Sequence, residues 1–439
     1  MVGVIENKLL DVMNGHINNN DNKSNIIKVY NSYSKKYIYE CEHVPTIIPS
    51  ITKSIKIEPI EPIEPIKPFT YIEYLKNCKA NEKISLDKFT ELFNQYKLNY
   101  SKIRSFNINN YIINKLKEKD IENIYNFMFT SRYISIDIKF WIQQNINNYN
   151  IYKFEHLDFY HFYKGERDLG HKEFVDNVYA ISKWIYNINP IYKIKLYFFD
   201  TPIKKTMSCK RSIRYISSQN ASSGFTSINE SKNYREIFIW RREEFFLILI
   251  HELFHYLLLD TKFLNQDKYI TIINYKIGGT DTFGKFPLLI NETITEIMAE
   301  FFYLIVISIK NNEDFLEIYK KNFIHSWHQF SKIMNYYNIK TFDSKLLATR
   351  FNQTTSIFSY FILKCLLETE FCNIIFAFPY IYHIFMGNDS ICDINECPAI
   401  VTYISKKMIH LPIKLINEVI NHCNPNNNNN LKRTFYPMS

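Results

Sequence analysis

His251, Glu252 and His255 have the residue types and the spacing of a metal site that carries its own base. They occur in the sequence HELFH, which has the pattern H-E-x-x-H. On a helix, positions i and i+4 share a face, so both imidazoles can bind one metal ion. Glu252 then lies beside the ion without binding it, where a base can take a proton from a metal-activated water. The spacing therefore indicates zinc-assisted hydrolysis.

The alternative is a chance match of five residues. With 12 histidines in 439 residues, chance gives this pattern in roughly one such chain in fifty. The surrounding sequence favours the metal site. Residues 245–250 and 257–259 are all apolar, so a helix formed by this stretch is apolar around nearly its whole circumference. Such a helix is typically buried in a core. Two imidazoles and a carboxylate are costly to bury in such a helix unless a metal or a polar partner satisfies them.

A second stretch supplies the carboxylates from which a third ligand could come. Residues 288–309 predict a long helix on which Glu292, Glu296 and Glu300 recur every four residues. These residues form one acidic stripe, which should face something positive. An exposed charged face is the alternative, but the apolar residues around the stripe leave little room for one. We expect a third metal ligand from this helix.

The elements around the motif occur in an informative order. Residues 173–188 predict a helix, and residues 193–200 and 235–240 predict two strands, the second directly before the motif helix. The stretch between the strands is polar and runs through ASSGFTS. This order is typical of zinc hydrolases in which a sheet edge lies beside the cleft. An extended peptide can bind such an edge as an added strand.

The composition excludes several other classes of function. The chain has only 9 glycines and contains no glycine-rich phosphate loop. Its net charge of +9 comes from dispersed Lys and Arg residues and no nucleic-acid motif accompanies it, which favours a solvated basic surface over the alternative of a basic groove for nucleic acid. The first residues lack the basic start and long apolar run of a signal peptide, and the apolar run at 371–386 is too short for a membrane span, so we expect neither feature. With 8 irregularly spaced cysteines, these features predict an intracellular protein.

The sequences HELFH at 251–255 and NETITE at 291–296 resemble the gluzincin zinc metallopeptidases. The resemblance implies that His251, His255 and Glu292 bind one zinc ion and that Glu252 is the base. The separation between His255 and Glu292 is longer than in thermolysin-like members and nearer to that of clostridial-neurotoxin-like proteases. One turn after Glu292, Glu296 is placed to accept a hydrogen bond from a ligating histidine. Glu300 is expected to be too distant for either role.

A narrower resemblance is to uncharacterised metallopeptidases of large nucleocytoplasmic DNA viruses. The stretches that carry it are SSGFTS, the motif helix with the strand before it, NETITEIMAEFF and TTSIFSYFILK, which together span about residues 173–370. The resemblance does not cover the first 170 residues. It implies that the protein acts in the host cytoplasm or in the virion.

These observations predict a mainly helical α+β fold in which a zincin-like domain holds a small sheet and an active-site helix. The predicted segments are a disordered segment at 1–57, a Pro-rich linker at 58–68, a mixed α/β domain at 69–170, the zincin-like domain at 171–424 and a disordered tail at 425–439. Within the mixed domain, the alternation in residues 132–142 favours a strand.

The predicted function is zinc-dependent peptide hydrolysis, with one zinc ion per chain and a protein or peptide substrate. Tyr360 and His328 are the candidates for a donor to the oxyanion. The alternative function is that of a non-catalytic structural or virion-associated protein that retains a degenerate zinc site. The sequence gives no indication of the oligomeric state.

Overall fold

A sheet of six strands lies at the centre of the described part of the chain. The computed structural model describes residues 94–95, 97–103, 112–114, 116–131, 133–165, 171–188, 190, 192–207, 216–217, 221–227, 233–257, 282–283, 286–287, 289–343, 347, 350–351, 353, 355–368, 417 and 420. The strands of the sheet are β1 (Ile112–Asn114), β2 (Asn148–Lys153), β3 (Leu157–Tyr163), β4 (Lys193–Phe199), β5 (Gly224–Ser227) and β6 (Tyr234–Ile239). A separate hairpin consists of β7 (Thr282–Phe283) and β8 (Phe286–Pro287).

Helices account for most of the other described residues. They are α1 (Glu118–Thr130), α2 (Ile136–Asn145), α3 (His171–Tyr186), α4 (Phe245–Tyr256), α5 (Ile290–Asn311), α6 (Phe315–Tyr336) and α7 (Lys364–Glu368). A π-helical segment, Phe358–Leu363, runs directly into α7. The fold is therefore mixed α/β and mostly helical, as the sequence predicts at that level.

The sheet has parallel strands at its centre and antiparallel strands at its edges. Its order is β1-β2-β3-β4-β6-β5. Strand β4 pairs in parallel with β3 and β6, whereas β5 pairs with β6 in the antiparallel direction. Central parallel strands are normally covered on both faces. Here β5 forms one edge of the sheet, next to β6, the strand that precedes α4 in the chain.

Alternate residues of β4 belong to two different hydrophobic clusters. Ile194, Leu196 and Phe198 pack with α3, α4 and α5 on one face of the sheet. Tyr197 and Phe199 pack with α1 and α2 on the other. This alternation follows from the two-residue period of a strand. The sheet therefore forms the middle layer between two helical layers.

The motif helix α4 is buried on all sides, as its apolar sequence predicts. It begins after Glu244, whose backbone is left-handed with φ of 63°, a conformation that costs a residue other than glycine about 1–2 kcal/mol. The buried Glu244 side chain lies 2.7 Å from the ammonium of Lys205, which is also buried. This buried ion pair therefore lies at the residue that directly precedes the motif helix.

The start of α5 is attached to the π-helical segment. The backbone N–H of Leu289 donates to Oγ of Ser359 at 3.3 Å. The hydroxyl of Thr293 donates to the carbonyl of Ser359 at 3.2 Å. Segments of π-helix occur frequently at functional sites. Here the segment places Tyr360 and Lys364 against the acidic stripe of α5.

Two predictions made from local sequence are wrong. The stretch at 132–142, predicted as a strand, contains the start of helix α2, which Ser135 caps by accepting from the N–H of Ile138 at 3.3 Å. Ile138 and Ile142 are both buried, so a helical i, i+4 spacing explains the apolar positions as well as alternation does. The boundary between 69–170 and 171–424 is also wrong, because β3 and β4 are neighbours in one sheet.

Several predicted features lie outside the described residues. They are the disordered segment at 1–57, the Pro-rich linker at 58–68 and the tail at 425–439. Within the described ranges, no helix combines the length and the hydropathy needed to cross a lipid bilayer. Cys365 is the cysteine that falls in these ranges, and its side chain is buried.

Candidate metal centre and active site

The structure brings His251, His255 and Glu292 together into what we call the metal centre. The Nε2 atoms of His251 and His255 are 3.0 Å apart. Oε2 of Glu292 lies 3.3 Å from the first of these atoms and 3.5 Å from the second. With bonds of about 2.0–2.1 Å, tetrahedral zinc separates its ligand atoms by roughly 3.3 Å. The geometry and the donor types of the three residues therefore fit a zinc ion.

The charges of the metal centre also suit a cation. Burial acts to lower the pKa of His251, but contacts with Glu292 and Glu296 raise it overall. Burial acts to raise the pKa of Glu292, yet His255 and His251 hold it well below its ordinary value. Glu292 therefore stays ionised beside the imidazoles. No Lys or Arg occurs among the described residues that line the cavity here.

Glu296 contacts the other ring nitrogen of His251. Its Oε2 lies 2.8 Å from Nδ1 of His251, and its side chain is fully buried. A carboxylate at this position favours the tautomer with a proton on Nδ1. The lone pair on Nε2 is then directed at the metal centre. Glu292 and Glu296, one helical turn apart, thus contact opposite sides of one imidazole.

Glu252 is held by the edge strand β5. The Thr226 hydroxyl lies 2.9 Å from both the Glu252 carboxylate oxygen Oε2 and the Glu252 backbone carbonyl. Gly224 lies so close that a Cβ there would be 2.8 Å from Cγ2 of Ile248 and 3.0 Å from Oε1 of Glu252. Burial raises the pKa of Glu252, although His255, His251 and the hydroxyl act against that rise. A raised pKa suits a general base that works near neutral pH.

Of the two candidate oxyanion donors, only Tyr360 lies at the site. Its hydroxyl donates to Oε2 of Glu292 at 3.0 Å, and its ring stands edge-on to His251. His328 lies on an exposed position of α6 and does not line the cavity in the part of the chain described here. Its selection from sequence was wrong.

A cavity of about 230 Å³ opens onto the metal centre. Among the described residues, its walls come from β5 and the residues before it, from α4, from the start of α5, from the π-helical segment with the residues before it, and from Tyr133 before α2. The lining residues are Tyr133, Ser222, Ser223, Gly224, Phe225, Thr226, Ile248, His251, Glu252, His255, Leu289, Glu292, Thr355, Ser356 and Tyr360. The ASSGFTS stretch, treated as a polar connection from its sequence, thus forms one wall of the cavity.

The third glutamate of the stripe belongs to a separate group of buried residues, the lysine cluster of Glu300, Asn322, Lys364 and Glu368. The Lys364 ammonium lies 2.6 Å from Glu300 and 3.7 Å from Glu368, and the Asn322 amide donates to Glu300. Burial acts to lower the pKa of Lys364, but the carboxylates raise it above its ordinary value. The expected positive partner of the stripe is therefore Lys364 at Glu300.

No protein-family model, curated protein or solved structure matches this chain. The function must therefore be inferred from the side chains of the cavity. Those side chains comprise three convergent ligands, a buried carboxylate on the same helix as two of them, and the edge of a sheet.

Proposed function

We propose that the protein is a gluzincin-type zinc metallopeptidase with a zincin-like catalytic domain. In this proposal His251, His255 and Glu292 bind one zinc ion per chain. The observation that carries it is the approach of the three ligand atoms to 3.0–3.5 Å of one another, with Glu252 on the same helix as both histidines. Buried polar side chains that only hydrogen-bond to one another would not need three convergent donor atoms beside a cavity.

Glu252 has the role of general base. Zinc, when bound there, supplies a Lewis acid that polarises a carbonyl and lowers the pKa of a water. The Glu252 carboxylate accepts the proton of the attacking water and returns it to the leaving amine. Thr226 and the close approach of Gly224 restrict the carboxylate to one orientation.

Other side chains position these groups and the substrate. Glu296 holds the proton on Nδ1 of His251, which keeps Nε2 available as a ligand. The Tyr360 hydroxyl is close enough to the metal centre to donate to the oxyanion of the substrate. The edge strand β5 lies along the same cavity, where an extended peptide can add as a further strand.

The first experiment compares wild type with Glu252→Gln. Both proteins are expected to contain one zinc per chain after purification without added metal, because Glu252 is not a ligand. The variant should hydrolyse denatured protein substrates about 10²–10⁴-fold more slowly, since the base is lost. Zinc content is measured by mass spectrometry and hydrolysis by release of peptides.

Glu122→Gln is the matched control, because Glu122 is an exposed carboxylate on α1. It should change neither zinc content nor rate. Stoichiometric zinc without hydrolysis by wild type would favour the alternative of a structural protein with a degenerate site. A Glu252→Gln variant as fast as wild type would remove Glu252 from the mechanism.

A further inference from the structure

Two exposed aromatic rings and one partly buried ring form a group at the edge strand that forms one wall of the cavity. The group, which we call the aromatic patch, consists of Phe127 at the end of α1, Tyr133 before α2, and Phe225 on β5. The Phe225 ring centroid lies 6.3 Å from that of Phe127 and 5.9 Å from that of Tyr133. Phe127 is 44% exposed and Tyr133 is 37% exposed.

The concentration of exposed apolar residues at this position is unusual. In the described ranges, five large hydrophobic side chains are exposed, and the set is Leu98, Phe127, Tyr133, Ile136 and Ile324. Three of them fall within residues 127–136. Single exposed hydrophobic residues need no explanation, but a group beside a cavity is typical of a binding surface.

The strand geometry connects this patch to the catalytic cavity. Gly224 and Thr226 face α4, where they contact or closely approach Glu252. Phe225 points to the opposite face and stacks on Phe238, with centroids 4.9 Å apart. Tyr133 packs on Phe225 and also lines the cavity. The patch and the cavity are thus continuous around the edge of the sheet.

A peptide strand added to β5 would contact both faces. In the described part of the chain, β5 has β6 as its strand partner and its other side is the sheet edge. Side chains of an added strand alternate between the faces. The residue that pairs directly with Phe225 projects to the same face as Phe225. That residue would lie against Phe127 and Tyr133, while its neighbours along the strand project towards α4.

The chemistry of the patch selects a bulky, uncharged side chain. The rings of Phe127 and Phe225 offer apolar surface, and Tyr133 adds one hydroxyl. The described residues that line the adjoining cavity include no Lys or Arg to attract an acidic side chain. Enclosing one large apolar side chain between such rings contributes through area burial and ring contacts.

We infer that the aromatic patch is a substrate-recognition subsite that selects polypeptides with a bulky apolar residue at the position paired with Phe225. The inference rests on the proposed function, since it assigns the substrate class of the same cavity. The partner is an extended segment of a polypeptide, bound as a strand along β5.

The test measures peptide binding without cleavage. The probes are fluorescent ten-residue peptides of Thr and Ser with one central Phe, Leu, Ala or Lys. A uniform peptide can shift its register until the central residue meets the patch. Zinc-loaded Glu252→Gln protein should bind the Phe and Leu peptides about ten-fold more tightly than the Ala and Lys peptides. Fluorescence anisotropy gives the four dissociation constants.

Variants of the patch then locate the source of this preference. In the same Glu252→Gln background, Phe127→Ala combined with Tyr133→Ala should reduce the ratio of affinities to about one. Phe127→Leu should retain most of the preference. Ile324→Ala, which removes an exposed apolar side chain on α6, should leave it unchanged. Circular dichroism verifies that each variant is folded.

The outcomes separate the subsite from the proposed activity. An unchanged preference in the double variant, or no peptide binding by the parent protein, overturns the subsite. Binding of the patch to phosphatidylcholine vesicles in place of peptides also overturns it. Selective binding without hydrolysis by wild type contradicts the peptidase and leaves the subsite standing. Hydrolysis by wild type, without a preference for the Phe and Leu peptides in binding, supports the peptidase and overturns the subsite.

Discussion

The metal centre and the lysine cluster both contain glutamates from the same stripe of α5, yet they differ in what balances the charge. At the lysine cluster, the chain itself provides the cation, because Lys364 lies 2.6 Å from Glu300. At the metal centre, Glu292 meets two imidazoles at 3.3 Å and 3.5 Å. In the first arrangement a lysine balances the carboxylate, whereas in the second the donor atoms of three side chains converge.

Glu292 of the metal centre is also more exposed to solvent than Glu300 and Lys364 of the lysine cluster. The side chains of Glu300 and Lys364 are 3% and 2% exposed, while that of Glu292 is 17% exposed and adjoins the cavity. A buried ion pair has no access for a ligand, and its components depend on each other. The comparison shows that helical spacing alone does not assign a role to a glutamate. The role of each glutamate depends on the side chain that it meets on the neighbouring segment.

The largest effect is expected from Lys364→Met. The substitution leaves Glu300 buried without its nearest cation, which should lower the free energy of unfolding by about 3–5 kcal/mol. Zinc content per folded chain should remain at one, because the lysine cluster does not supply a ligand. Urea denaturation followed by circular dichroism measures the first quantity and mass spectrometry the second.

Lys321→Met is the control for this experiment. Lys321 and Glu313 form an ion pair at 3.5 Å in which both side chains are well exposed, and such pairs contribute less than about 1 kcal/mol. If Lys364→Met were no more destabilising than this control, the lysine cluster would not contribute the stability expected of a buried ion pair.

A smaller effect is expected from Glu296→Gln, which tests the boundary between the two regions. The neutral amide holds His251 less firmly than the carboxylate does, so zinc affinity should fall about 10–100-fold. Competition with a fluorescent chelator gives the affinity. Glu300→Gln is the comparison, and among folded molecules it should leave zinc affinity unchanged. Equal losses in both variants would show that the stripe acts as one unit.

The smallest effect is expected within the lysine cluster, from Glu368→Gln. Burial and the nearby Glu300 hold the pKa of Glu368 well above its ordinary value. A carboxyl group whose pKa is raised in the folded state contributes fully to the stability of the fold below its unfolded pKa of about 4.5. This contribution is lost as the pH rises through the pKa of the folded state. The neutral amide cannot lose a proton, so the variant should avoid this loss.

The variant is expected to gain stability relative to wild type as the pH rises from 4.5 to 8, with no gain near pH 4.5. Urea denaturation of both proteins at pH 4.5, 6 and 8 measures the difference. A variant that is less stable than wild type by the same amount at all three values would show that Glu368 is ionised in the folded protein.

The sequence predicts the elements whose signal is local and long. The helix expected at 288–309 is α5, Ile290–Asn311, and the strands expected at 193–200 and 235–240 are β4 and β6. The three proposed ligands also come together in space. Helical spacing places all three glutamates on one stripe, and the choice of Glu292 among them comes from the resemblance.

Features that depend on distant partners could not be predicted in this way. Strand β5 has four residues, begins with Gly224, and is a strand because it pairs with β6. Lys364 lies in a stretch of apolar sequence, and nothing local indicates that it meets Glu300, 64 residues earlier. The contact of Thr226 with Glu252 depends on both the sheet order and the helix start. Such residues become visible only in the folded chain.

The most direct test of the metal centre is the zinc content of wild type beside Glu292→Ala. Both are purified without added metal, dialysed against a weak chelator and analysed by mass spectrometry, with thermal unfolding to verify the fold. We predict one zinc per chain in wild type and none in the variant, because two imidazoles alone bind zinc weakly. A wild-type protein without zinc, or a Glu292→Ala variant that remains fully loaded, would contradict the assignment.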